Sequence, residues 1–140
     1  MAEVIEYLSR AVKDGASDLF IVAGGQVSEK LGKRLVPISE EKVFPRETNM
    51  LISQLFAHGN RDMGHFEASG DDDFSFSVPG LARFRVNVYR QRGSMAAVVR
   101  VVAFDIPNHL DLNIPAGVLD LADVKSGMIL VTGTAGSGKF

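Results

Sequence analysis

Apolar residues near the start of the chain fall at Val4, Ile5, Leu8, Ala11 and Val12, a spacing that places them on one face of a helix. Arg10 and Lys13 sit in its last turn, and Gly15 is placed to end it. Asp18 to Ala23 predicts a strand buried on at least one face, closed by a turn at Gly24-Gly25. Residues 26–31 and 33–38 predict a weak hairpin about Gly32, with Leu35, Val36 and Ile38 as its apolar content. Pro45 marks a second helix start, because the missing N–H costs nothing in a first turn. Met50, Leu51, Leu55 and Phe56 keep the helical period, and Gly59 stops it. Asn60 is placed to cap a short third helix that brings Met63 and Phe66 inward.

The period then changes. Asp71, Asp72 and Asp73 read as a solvated turn, with a metal site the lesser alternative because no ligand-spaced partner stands nearby. Phe74, Phe76 and Val78 alternate with Ser75 and Ser77, and Pro79-Gly80 signals a tight turn. Phe84, Val86 and Val88 alternate with Arg83, Arg85 and Asn87. A second turn at Gln91 to Ser94 leads into an apolar strand from Met95 through Phe104. Three strands on short turns predict an antiparallel meander with one face on a core, covered by the two main helices. The fold class expected is therefore α+β. Ile106-Pro107-Asn108-His109 and Asn113-Ile114-Pro115 punctuate a linker, and Val118, Leu119 and Leu121 predict a brief helix. A last short strand is expected at Met128 to Val131.

Composition narrows the function classes. The chain has 140 residues, 46% hydrophobic and 23% charged, which suits one domain and a remainder. A net charge of −2 argues against a general nucleic-acid-binding surface. With no cysteine, disulfides and thiolate metal sites are excluded. Charged residues among the first 14 exclude a signal peptide, and no apolar run approaches the ~20 residues of a transmembrane helix. A cytoplasmic location is the expectation.

The chemistry begins at the end of the chain. The expected strand at 128–131 runs into Gly133, Thr134, Ala135, Gly136, Ser137, Gly138 and Lys139, which meets G-x-x-x-x-G-K. Such a loop turns backbone N–H groups inward around phosphate oxygens, and its lysine adds positive charge at the β- and γ-phosphates. The next residue should carry the hydroxyl that holds magnesium; it is Phe140. A dinucleotide fingerprint is disfavoured, since the glycines run G-x-x-G-x-G and that motif calls for no lysine. Arg83, Arg85, Arg90, Arg92 and Arg100 form a second concentration of chemistry. Arg83 and Arg85 share parity and leave one strand on the same face. Two readings stay open: a solvated face ion-paired to the acidic run, or a patch facing phosphate or carboxylate. The histidines at 58, 65 and 109 show no metal spacing and no triad.

In this order, Gly15 to Leu19, Asp73 to Gly80, Ala82 to Asn87, and Leu130 to Gly133 with its loop resemble the twitching-motility ATPases of the PilT type, in the secretion ATPase superfamily. The resemblance covers nearly the whole chain. It implies a PAS-like N-terminal domain over residues 1–106, then at 107–140 a linker and the first strand of a RecA-like ATPase domain with its Walker A loop at 133–140. It further implies ATP and Mg2+ as cofactors, a ring hexamer, and pilus machinery at the inner membrane as partner. In that family, arginines of the N-terminal domain approach the phosphates across a subunit interface, which makes Arg83, Arg85, Arg90 and Arg92 the candidates. Phe20 stands where the family often has histidine, and the stretch Gln26 to Lys33 lacks the usual proline pair and Arg-x-Asp-Gly turn. The expectation is a truncated N-terminal part of a retraction motor, itself unable to hydrolyse ATP. The alternatives are a PAS-like adaptor without catalysis, or a related type II secretion or pilus-assembly ATPase.

Overall fold

The computed structural model describes residues 3–134 and Ser137. The chain divides into two compact units, Met1–Phe104 and Asp105–Phe140.

The first unit is α+β. Its helices are α1 (Val4–Asp14), α2 (Pro45–His58) and α3 (Gly64–Ser69). Its strands are β1 (Asp18–Ile21), β2 (Gln26–Leu31), β3 (Arg34–Lys42), β4 (Asp71–Val78), β5 (Ala82–Gln91) and β6 (Ser94–Val102). They form one antiparallel sheet in the order β3-β2-β1-β6-β5-β4. Two local motifs, the β2–β3 hairpin and the β4–β5–β6 meander, are thus joined through β1 and β6. The first strand sits in the middle of the sheet, paired with β6 across nearly the full length of the domain.

Alternation assigns the two faces. Leu19, Ile21, Val27, Phe84, Val86, Val88, Ala97 and Val99 point to one side and are wholly buried. Val4 and Leu8 of α1 and Ile52 and Leu55 of α2 pack into the same cluster. Phe56 joins it through Phe74, at 4.8 Å between ring centroids, and through Phe66 at 6.0 Å. The opposite face carries Arg83, Arg85, Asn87 and Arg100.

Helix boundaries follow local chemistry. Gly15 takes φ 74°, a left-handed conformation that costs glycine nothing, and ends α1. The N–H of Phe44 donates to Glu47 Oε2 at 2.7 Å, closing the first turn of α2. At the far end of α2 Gly59 ends the helix as expected, and the expectation corrected is that for Asn60. Gly59 is right-handed, at φ −78°, and Asn60 takes the positive φ of 47°. Asn60 therefore turns the chain out of α2 instead of capping α3; Met63 holds the cap position.

The acidic run is also corrected, because Asp71 to Asp73 open β4 and do not form a turn. Asp72 has the parity of Phe74 and Phe76, so it points to the core side, 4% exposed. Arg61 makes this tolerable by gripping it with two bonds, Nε to Oδ2 at 3.0 Å and Nη2 to Oδ1 at 2.9 Å. The N–H of Asp73 donates to the same carboxylate at 2.9 Å.

The second unit holds α4 (Ala116–Leu119) and a 3-10 turn over Asp120–Asp123. The strand expected at 128–131 is not formed, and Met128, Leu130 and Val131 stay exposed. A parallel strand exists only with neighbours to complete its hydrogen bonds, and the described residues supply none.

Candidate anion-facing sheet surface

The uncovered face of the sheet carries the site. Its central row follows from strand register: Ser75 on β4 faces Arg85 on β5, which faces Arg100 on β6, which faces Asp18 on β1. Arg83 projects from the same face two residues before Arg85 and faces Ser77. Asp18, Arg85, Asn87, Val98 and Arg100 line a depression of about 170 Å³.

Each cation has a partner, and the partners differ. Arg85 grips Asp73 with Nε to Oδ1 at 3.2 Å and Nη2 to Oδ2 at 3.0 Å. That bond and the charge of Asp73 hold the guanidinium above its ordinary pKa, so it is permanently charged. Arg100 reaches Asp18 Oδ1 through Nε at 3.3 Å. Asp18 is itself held by the Ser17 hydroxyl, which donates to Oδ2 at 2.9 Å. Arg83 has only the Ser75 hydroxyl, at 3.5 Å. By strand parity Asp71 and Lys30 lie on this face as well, so around the row Arg83, Arg85, Arg100 and Lys30 stand with Asp18, Asp71 and Asp73. The side chains of Arg85 and Arg100 remain 65% and 67% exposed, so their outer N–H groups are open to an incoming oxyanion.

The four arginines singled out by sequence separate. Arg83 and Arg85 share the open face. Arg90 lies on the other face, its guanidinium 5.1 Å from the ring centroid of Phe66, where it packs as a cation over an aromatic. Arg92 sits in the β5–β6 turn at φ 49°, beside a groove lined by Phe44, Pro45 and Met95. Arg100 is the residue that belongs to the row and was missing from the candidates. Its signal was available: it is the one polar side chain between Val99 and Val101 in an apolar strand.

Of the phosphate loop, Gly133, Thr134 and Ser137 are described, whereas Ala135, Gly136, Gly138, Lys139 and Phe140 lie outside the described residues. The N–H and hydroxyl of Ser137 both donate to the Thr134 carbonyl, at 3.2 and 2.7 Å. Among the described residues no cluster of His, Cys, Asp or Glu could hold a metal ion. No helix among them is long and apolar enough to cross a membrane.

No protein-family model matches the chain. Two Pseudomonas aeruginosa proteins do: the type IV pilus ATPase PilU, 31% identical over 137 residues, and the type IV pilus retraction ATPase PilT, 32% identical over 137 residues. Each alignment covers 98% of this chain. In structure the chain is similar to the pilus retraction motor PilT with bound ADP, with a TM-score of 0.77 at 35% identity over 99% of this chain. The chain is a homologue of the N-terminal part of the PilT-type pilus ATPases. It spans 35% of the length of PilU and 39% of that of PilT. The six-stranded antiparallel sheet with its covering helices matches the PilT N-terminal domain. The Legionella pneumophila ATPase DotB shares the fold, with a TM-score of 0.60 at 22% identity.

Proposed function

We propose that this chain is the N-terminal, force-transmitting part of a PilT-type motor that hydrolyses ATP to retract type IV pili, working as a ring hexamer at the cytoplasmic side of the inner membrane. Residues 1–106 form the PAS-like lever domain, and residues 107–140 lead into a RecA-like ATPase core. Gly133, Thr134, Ala135, Gly136, Ser137, Gly138 and Lys139 cradle the phosphates of ATP, which is bound with Mg2+. The observation that carries the reading is the open, cationic sheet face in a chain related to pilus ATPases over 98% of its length.

The chemistry assigned to that face is electrostatic. Hydrolysis of ATP develops negative charge on the γ-phosphoryl oxygens, and a guanidinium brought up from a neighbouring subunit stabilises it. Arg83 is the first choice, because its partner is a neutral hydroxyl and little is lost when it turns to a phosphate. Arg85 must first exchange Asp73. Arg90 and Arg92 are set apart from this face and are assigned to packing and to the turn.

A second reading rests on the same ion pairs. Arg85 and Arg100 already hold carboxylates, as the solvated face of a binding or adaptor module would. Steady-state ATPase activity of the full-length protein separates the two. Arg83→Ala is expected to lower turnover at least tenfold with the fold intact. Wild-type rates in both Arg83→Ala and Arg85→Ala would establish the adaptor-like face instead.

A further inference from the structure

The sheet has two edge strands, and only one of them is guarded. β3 carries Pro37, a register shift against β2 between Gln26 and Ser28, and charges at Arg34, Glu40, Glu41 and Lys42. Such features keep an edge from pairing with another chain. β4 has no proline and no lysine, and it keeps an unbroken register with β5 from Asp71 to Val78. Its charges are confined to its first three residues.

Backbone alternation tells which groups face outward. The Arg90 N–H donates to the Gly70 carbonyl at 3.1 Å, so even-numbered residues of β4 bond to β5 and odd-numbered ones point away. At the start of the strand the outward groups are tied locally. Ser69 Oγ donates to the Asp71 carbonyl at 2.7 Å, and the Asp73 N–H donates to Asp72 Oδ1 at 2.9 Å. Among the described residues nothing bonds the outward N–H and C=O of Ser75 and Ser77, or the C=O of Asp73.

We propose that β4 pairs antiparallel with β4 of a second copy of this chain, about a two-fold axis at Ser75. In this register the two Ser75 residues bond in both directions, and each Ser77 N–H donates to an Asp73 carbonyl across the axis. A one-residue slip would set the buried side of one strand against the open side of the other. An axis at Phe74 needs the tied groups of Asp71, and one at Phe76 puts Asp73 opposite Pro79, which has no N–H. Charge agrees with the axis at Ser75. Among the described residues Arg83 has no carboxylate; it faces Ser77 and reaches only the Ser75 hydroxyl, at 3.5 Å. Pairing sets Asp73 of the second copy opposite Ser77, about 10 Å of backbone spacing from Arg83 and within the joint reach of the two side chains. On the covered side, half-buried Phe74 comes opposite Phe76 of the second copy. An isologous contact closes on two copies, so it is separate from the contacts of a ring and stands whether or not the motor reading does.

The test uses the 140-residue chain. Sedimentation at about 100 µM, a concentration suited to a small interface, is expected to show a dimer. Ser75→Pro removes an outward N–H and no bond to β5, and is expected to weaken dimerisation about tenfold or more with circular dichroism unchanged. The chain has no cysteine, so single thiols report the register. In the pair the two Ser75 Cα atoms lie about 5.5 Å apart, within disulfide range, whereas the two Ser77 positions are offset by four residues along the strands. Ser75→Cys is therefore expected to cross-link on mild oxidation, and Ser77→Cys is not. A monomeric wild type would overturn the proposal, and so would a Ser75→Pro dimer as tight as wild type. Equal cross-linking of the two thiols, or none in Ser75→Cys, would overturn it too. If Ser75→Pro does not fold, the wild-type sedimentation and the two cysteine variants decide.

Discussion

Arg61 is the most informative residue to perturb for stability. It leaves the loop after α2 and grips Asp72 at the start of β4, so it ties the helical layer to an edge strand. Asp72 is 4% exposed, whereas the side chain of Arg61 keeps 43% of its surface in solvent. Removing one partner of a fully buried pair costs about 3–5 kcal/mol, mostly as the penalty for the charge left behind. Here solvent screens the outer partner, and the Asp73 N–H stays in place, so about 2 kcal/mol is expected for Arg61→Ala. For a domain of this size that corresponds to a fall of about 8–16 °C in Tm. The bond from Arg61 is the main reason the Asp72 carboxyl lies below its usual range; burial opposes it, and the Asp73 amide assists. A depressed carboxyl stabilises the fold above its unfolded pKa, and this contribution is lost as pH falls through the folded value. The gap between wild type and Arg61→Ala should therefore be full at pH 7 and shrink below the ordinary aspartate range. Urea denaturation at both pH values measures it, with Arg61→Lys, which keeps the charge but not the fork, expected to fall between. A loss below about 0.5 kcal/mol at pH 7, or an equal loss at both pH values, would refute the reasoning.

Two of the glycines that end helices should respond to alanine for different reasons. Gly59→Ala meets no backbone objection, but its Cβ would lie 2.9 Å from two ring carbons of Phe74, so a loss of about 1–2 kcal/mol is expected by thermal denaturation. Gly15→Ala has open space but sits at φ 74°, and a similar loss of about 1–2 kcal/mol is expected from backbone strain alone. A stabilised Gly59→Ala would contradict the close approach of Phe74. The 140-residue chain alone is expected to bind ATP weakly and not to hydrolyse it, because Phe140 replaces the magnesium-holding hydroxyl; magnesium-dependent micromolar affinity in calorimetry would contradict that.

The elements most legible in sequence were those whose burial follows one period. The apolar face of α1, the alternation of Phe84, Val86 and Val88, and the tight turns at 80 and 93 all express short-range geometry. The errors fall where a polar residue occupies an apolar position. Asp72 has the core-side parity of Phe76, and its acceptability depends on Arg61, eleven residues away on another element. Glu29 is similar, a buried acid at an apolar position of β2 whose Oε2 has no hydrogen-bond partner. Asn60 was misassigned because asparagine serves equally as a cap and as a left-handed residue. Within the site, parity sufficed to join Arg83 to Arg85. Only the register of β5 against β6 brought Arg100 beside Arg85, and only a side-chain contact took Arg90 away to Phe66.

The central claim is that the cationic sheet face acts on the nucleotide of a neighbouring subunit. The direct measurement mixes two inactive full-length variants, one with Arg83 and Arg85 changed to Ala and an intact phosphate loop, the other with Lys139→Ala and an intact face. If the face works in trans, mixed rings should hydrolyse ATP well above the sum of the two separate preparations. Activity that stays at that sum, in rings shown to have exchanged subunits, would contradict the account.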